Sequence, residues 1–286
     1  MTAPNQESVR DWWNRNPMSY DVGEPIPYEP GSPEYFRELD SRVFDPRVLR
    51  LTVDRRDGRP FSRFVDFDSL AGKDVLDVGF GSGFSVQLLA EAGANVSGVD
   101  LTDWAVETTQ TRLAAFGLEA NVAQGDGERL LFGDSSFDLV FSWGVIHHSS
   151  DMERALGELV RVLRPGGRIV LMVYNRRSLF YAAYKTLQHA QPVTQRLGIH
   201  FEGARTGDVD GLVVRHFTQA ELRTMLEGAG LTDVRIQPYG QDSELLPLPR
   251  RMRVPITDRL PLGLKDWTLD RLGHQLAVTA SRRVQA

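Results

Sequence analysis

The apolar positions of the chain alternate between two spacings. Short runs rich in β-branched and aliphatic residues, DVLDV at 74–78, NVSGVD at 95–100, EANVAQ at 119–124, FDLVFSW at 137–143 and GRIVLMVYN at 167–175, read as strands. The last of these is apolar nearly throughout, as in a strand covered on both faces. Between them the spacing becomes helical. SGFSVQLLAEAG places Phe84, Leu88, Leu89 and Ala92 on one side and ends at Gly93. A second helix begins at Thr102 or Asp103, either of which can cap it, and runs to Gly117. MERALGELVRVL carries Leu156, Leu159, Val160 and Leu163 on one stripe before a Pro-Gly stop. Thr218 and Glu221 stand at capping-box spacing ahead of a helix ending at Gly230, and DVRIQPYG and HQLAVTASR supply a sixth and a seventh strand. Alternating strands and helices predict an open, mainly parallel sheet with helices on both faces.

Three stretches break the alternation. Residues 1–64 interleave Trp12, Trp13, Tyr20, Tyr28, Tyr35 and Phe36 with Pro17, Pro25, Pro27, Pro30 and Pro33; they predict a short helix around ESVRDWWNR and a helical piece from Ser32 to about Leu39. Residues 176–215 hold an aromatic helix, SLFYAAYKTLQ, and the polar loop GARTGDVDG, while residues 241–273 hold four prolines and the cluster Arg250, Arg251 and Arg253. The expected organisation is a cap over 1–64 and one α/β domain over 65–286 with insertions at 176–215 and 241–273. The first insertion reads as a lid over the strand ends or as a contact between copies in a homo-oligomer. The arginine cluster reads as a solvated charge run, with an anionic substrate group as the alternative.

Composition narrows the function. A net charge of −5, with 25% charged residues, argues against nucleic acid as a partner. The absence of cysteine excludes disulfides and thiolate chemistry. MTAPNQESVRDWW lacks a basic start followed by an apolar core, and no apolar run reaches membrane-spanning length, so the expectation is a cytoplasmic protein without a membrane partner. His147 and His148 are adjacent, the other four histidines look dispersed, and no metal-ligand spacing accompanies them; no metal is expected.

The candidate chemistry begins where the first strand stops. Gly79, Gly81 and Gly83 alternate after Asp77, which suits a backbone that must take positive φ or admit a ligand closer than a Cβ would allow. The second strand ends in Asp100, where a carboxylate can accept from both hydroxyls of a ribose. A dinucleotide fingerprint would ask for glycine where this chain has Phe84, and would not ask for Asp77. LDVGFGSG followed by GVD, with QGDGERLLFGDSSFDLVFSWGVIHH and RVLRPGGRIVLMV further on, resembles the class I S-adenosylmethionine-dependent methyltransferases over about residues 65–240.

That resemblance implies a Rossmann-like sheet of seven strands with the cofactor S-adenosyl-L-methionine across the carboxyl ends of its first strands. It implies that Asp77, Gly79, Phe80, Gly81 and Gly83 hold the methionine portion, that Asp100 holds the ribose with Leu101 near the adenosine, and that Asp126 and Gly127 hold the adenine. A carboxylate beside backbone amides matches the amine donor and ring-nitrogen acceptors of that base. Trp143 would wall the pocket. His148, as the residue matching the family's usual histidine, and His147 are the candidate bases, since imidazole titrates near neutrality; Tyr20 would line the transfer pocket. The expected partner is a small-molecule acceptor, with a non-methylating reaction or a silent cofactor-binding subunit as the alternatives.

Overall fold

The computed structural model describes residues 5–17, 25–44, 49–186, 214–246 and 250–284. Its strands are β1 (Asp74–Val78), β2 (Asn95–Asp100), β3 (Asn121–Gln124), β4 (Phe137–Trp143), β5 (Leu163–Asn175), β6 (His216–Phe217), β7 (Leu231–Tyr239) and β8 (Gln275–Arg282). They form one sheet in the order β3-β2-β1-β4-β5-β8-β7, with β6 paired to β5 off that path. All pairs are parallel except those of β8, which runs antiparallel to both β5 and β7. The expected seven-stranded sheet is present, with a two-residue eighth strand laid along Tyr174 and Asn175. β5 starts at Leu163 rather than Gly167, because the Pro-Gly-Gly turn is absorbed as an irregularity in its pairing with β4.

The helices are α1 (Gln6–Arg15), α2 (Pro33–Val43), α3 (Phe84–Glu91), α4 (Asp103–Phe116), α5 (Met152–Val162), α6 (Gln219–Gly228), α7 (Arg250–Thr257) and α8 (Leu262–Leu272). The predicted caps at Thr102, which accepts from the Ala105 amide, and at Thr218 with Glu221, a complete capping box, both form, and Ser32 caps α2 by accepting from the Tyr35 amide. Alternate strand residues feed two cores. Leu76, Val78 and Leu171 pack with Leu156 and Leu159 of α5 and Leu222 and Leu226 of α6. Val75, Phe141 and Val170 pack with Leu89 of α3, Leu113 of α4, Leu269 of α8 and Phe61, Phe64 and Phe67 ahead of β1. No helix among the described residues is long and apolar enough to cross a membrane.

The amino-terminal segment is latched to this second layer by one buried cation. Arg112 of α4 has no exposed surface and donates bidentately to Asp40 of α2 at 2.8 and 2.7 Å. Its remaining donors reach the Ser82 carbonyl at 2.8 Å and Gln87 Oε1 at 2.9 Å, and its plane lies 4.4 Å over the Phe36 ring. Burial pushes the Asp40 carboxyl above its ordinary range against the opposing pull of Arg112. The 241–273 stretch is tied to the same segment, with Arg50 paired to Asp242 at 2.7 Å and Asp266 at 2.6 Å, and Arg63 to Asp270 at 3.1 Å.

Removing one partner of the Arg112–Asp40 pair leaves an uncompensated buried charge. Asp40→Ala should therefore cost about 3–5 kcal/mol of unfolding free energy. Urea unfolding reads this directly, and a loss under about 1 kcal/mol would show the pair to behave as a surface bridge.

Candidate cofactor and acceptor site

β1 breaks into α3 through three glycines in the left-handed region, with φ of 80° at Gly79, 54° at Gly81 and 79° at Gly83. A Cβ at Gly79 would stand 2.3 Å from Val145 Cγ2, and one at Gly83 would stand 2.6 Å from Thr109 Oγ1. The turn is thus pressed between the loop after β4 and the α4 helix, and only glycine fits. Its Gly81 amide donates to Asp100 Oδ2 at 3.0 Å, while the Thr102 amide and hydroxyl donate to Asp100 Oδ1 at 3.0 and 2.9 Å. These bonds aim the carboxylate at the tip of β2 across the turn. Burial raises its pKa and the three donors work against that rise.

Asp77, two residues before the first glycine, is buried, and Ser85 Oγ lies 2.5 Å from its Oδ2. Burial pushes its carboxyl up to about 7, with the nearby Asp100 charge acting in the same direction. Phe80 contributes only backbone to the turn: its ring lies under β2, where a Cβ on Gly98 would stand 2.8 Å from its Cδ1. Phe80 therefore offers no side chain to a cofactor, because filling the space over Gly98 buries the ring in the core.

At the end of β3, Asp126 Oδ1 accepts from the Glu128 amide and from Gln6 Nε2 of α1, both at 2.8 Å. Gln6 Oε1 in turn accepts from the Ser150 amide at 3.2 Å. Among the described residues Asp126 Oδ2 has no donor, so one carboxylate oxygen remains for an exocyclic amine. Gly127 lies over Val78, and the Leu101 carbonyl accepts from Gln124. A glycine cradle, an aimed carboxylate and a half-used second carboxylate stand along one edge of the sheet. They fit the methionine, ribose and adenine parts of the expected cofactor.

The loop after β4 supplies the acceptor side. Trp143 is half-buried in an aromatic wall with Phe61, Phe64, Phe141 and Tyr239. His147 is fully buried with neither ring nitrogen hydrogen-bonded, and burial holds its pKa well below the ordinary value. His148 is also buried and meets the edge of Trp13 of α1 at 5.4 Å. Tyr20 lies outside the described residues, as does the polar loop 203–211. The apparent dispersal of the other histidines does not hold for two of them. His216 and His274 arrive beside Tyr174, at 5.4 and 4.6 Å between ring centres, because β6 follows the end of β5 and the antiparallel β8 begins at that same edge. Among the described residues no three His, Asp or Glu side chains are placed to hold a metal ion.

Residues 76–171 match the model of a methyltransferase domain. Over those residues, about a third of its length, the chain carries a methyltransferase domain. The family's cofactor is S-adenosylmethionine. The chain is 33% identical over 118 residues to demethylmenaquinone methyltransferase from Tropheryma whipplei, covering 41% of this chain and 48% of that protein. It is 34% identical over 122 residues to norajmaline N-methyltransferase from Rauvolfia serpentina, covering 42% of each. The matches thus span about half the length of these relatives. The crystal structure of the [4+2]-cyclase SpnF shares the fold, with a TM-score of 0.57 at 17% identity over 100% of this chain and 98% of that one.

Gln6, Ser85, Arg112, His216 and His274 escaped the sequence reading of this domain. His274 directly precedes the antiparallel last strand and His216 lies in the two-residue β6 paired to the end of β5, placements that their sequence separation concealed; Gln6 and Arg112 have partners 120 and 72 residues away.

Two expectations follow. Gly79→Ala meets both the left-handed φ and Val145, whereas Gly58→Ala, at φ 79° with nothing within 4 Å of its Cβ, meets only the φ cost of about 1–2 kcal/mol. Gly79→Ala should lose at least about 2 kcal/mol more in denaturant unfolding, and equal losses would refute the packing argument. The second concerns pH. A carboxyl raised from 3.8 to about 7 on folding stabilises the free protein fully below pH 3.8, and that contribution disappears as pH rises through about 7. The calorimetric midpoint of the free domain should accordingly drift down across that window, less steeply in Asp77→Asn; parallel slopes in the two proteins would show that Asp77 is not the group responsible.

Proposed function

We propose that the protein transfers a methyl group from S-adenosylmethionine to a small-molecule acceptor. The observation that carries this reading is the edge just described: Asp100 held by the Gly81 amide across a turn that admits no side chain, with Asp126 presenting an unused oxygen further along. When bound, the cofactor supplies an electrophilic methyl on a sulfonium. The chain's own residues bind and position. Asp100 accepts from the ribose hydroxyls, Asp126 Oδ2 from the adenine amine, and the positive-φ glycines let the backbone approach the methionine portion.

On the acceptor side the chain would hold the nucleophile toward that methyl, and any proton the nucleophile carries would need a base to receive it. His148 is the imidazole assigned to take that proton, with Trp143 and Tyr174 as walls. The relatives named above act, by their names, on demethylmenaquinone and norajmaline, both small molecules, which supports the acceptor class. The cyclase that shares the fold makes product analysis, rather than cofactor binding, the decisive measurement of the reaction.

Calorimetric titration with S-adenosylmethionine, S-adenosylhomocysteine and NAD should show micromolar binding of the first two and none of the third. Asp100→Ala should weaken that binding about 100-fold, the scale of a lost charge-assisted double contact. Retained affinity would remove Asp100 from the ribose site. In a labelled-methyl screen of acceptors, His148→Ala should lower turnover more than about tenfold and spare cofactor affinity; unchanged turnover would leave His148 as a wall.

A further inference from the structure

Four of the chain's six histidines meet around one tyrosine. His147 lies 4.2 Å from the Tyr174 ring and 4.0 Å from His148, His216 lies 5.3 Å from His274, and His274 stacks on Tyr174. The convergence follows from topology: the turn after β4, the end of β5, the short β6 and the residue before β8 all sit at the carboxyl edge of the parallel strands. Burial holds His147 well below its ordinary range, His216 at about 4 and His274 at about 3, so at neutral pH each of these rings is uncharged. A neutral imidazole offers one N–H and one lone pair.

Among the described residues, three of these ring nitrogens are buried without a hydrogen-bond partner: both of His147, and Nε2 of His216. Leaving such groups unpaired is costly, and a cluster of them calls for something that supplies the missing bonds. The charged groups nearby are already committed. Glu244 accepts from the His274 amide and the Gln275 side chain, Arg215 donates to the carbonyls of Ser149 and Ser150, and Arg176 pairs with Glu221. A cleft of about 390 Å³, lined by Tyr181, Val214, Arg215, Phe217 and Met225 among others, opens onto His216, whose ring packs 4.6 Å from that of Tyr181.

We propose that this cluster is the acceptor subsite, and that it takes an uncharged planar ring bearing a hydroxyl group. This deepens the methyl-transfer reading and rests on it. The rings of Tyr181 and His216, which line the cleft, suit a flat aromatic body. The imidazole lone pairs accept from a hydroxyl. A charged acceptor would give up its water for neutral imidazoles, for the Arg176–Glu221 pair and for an Arg215 guanidinium whose donors already reach two backbone carbonyls.

The test uses three probes with one ring system, 2-naphthol, 2-naphthoate and 2-naphthylmethylammonium, titrated calorimetrically into the full chain saturated with S-adenosylhomocysteine. 2-Naphthol should bind with a Kd below about 1 mM, and each ion at least about tenfold more weakly. His216→Phe, which keeps a ring and removes the lone pair, should weaken 2-naphthol about tenfold, and His216→Asn, which restores an acceptor, should recover most of that loss. S-adenosylhomocysteine affinity should be the same in all three proteins. Equal binding of an ion, no binding of 2-naphthol, or an unchanged naphthol affinity in a folded His216→Phe protein would each overturn the proposal. If His216→Phe does not fold, Tyr181→Ala removes the ring packed on His216 and must show the same loss. Failure of S-adenosylhomocysteine to bind the wild-type chain strikes the methyl-transfer reading instead, and 2-naphthol titrated into the free protein then still decides the subsite.

Discussion

No side chain fits on the turn between β1 and α3 at Gly79 or Gly83, and much of the site depends on that exclusion. The space a Cβ would need at Gly79 is held by Val145, which stands one residue before the turn that carries His147 and His148. The space at Gly83 is held by Thr109 of α4, one helical turn from Arg112. The cofactor turn, the histidine turn and the buried latch to Asp40 are therefore one packed unit rather than three neighbours. Because interiors pack densely, a shift in any of them is transmitted to the others.

Around that unit the protein accumulates groups whose charge is disfavoured. Burial raises the pKa values of Asp77, Asp100 and Glu244, the last to about 7, and lowers those of His147, His216 and His274. Burial thus opposes ionisation at both kinds of group, while the strand-end edge remains dense in hydrogen-bond donors and acceptors.

Much of this was legible in the sequence because periodicity reports local burial. NVSGVD became β2 residue for residue, and Thr102 and Gly117 bound α4 as their chemistry requires. Asp77 and Asp100 stand where the strand ends put them. What escaped had weak local signals. β6 is two residues long and exists only because β5 offers an edge there; α2 continues to Val43 past its expected end; and the four-proline stretch still accommodates α7 and α8, with Pro255 inside the first and Pro261 capping the second. Phe80 sits among candidate ligand residues, yet its ring went to the core. The histidine cluster was hidden for a different reason: sequence separation says nothing of distance when one strand runs backwards.

That reversed strand also bears on how the sheet is assembled. Among the described residues β7 hydrogen-bonds to no strand but β8, and β8 is inserted between β5 and β7, although it follows both in the chain. While the polypeptide is being synthesised, β1 to β5 can zip in order, but β7 has no edge to join until β8 has emerged and docked on β5. The interval leaves the β5 edge bare, a hazard of mispairing between chains. It also makes the last strand the step that brings His274 to the edge, after the Gly79 turn and Asp100 can already have met.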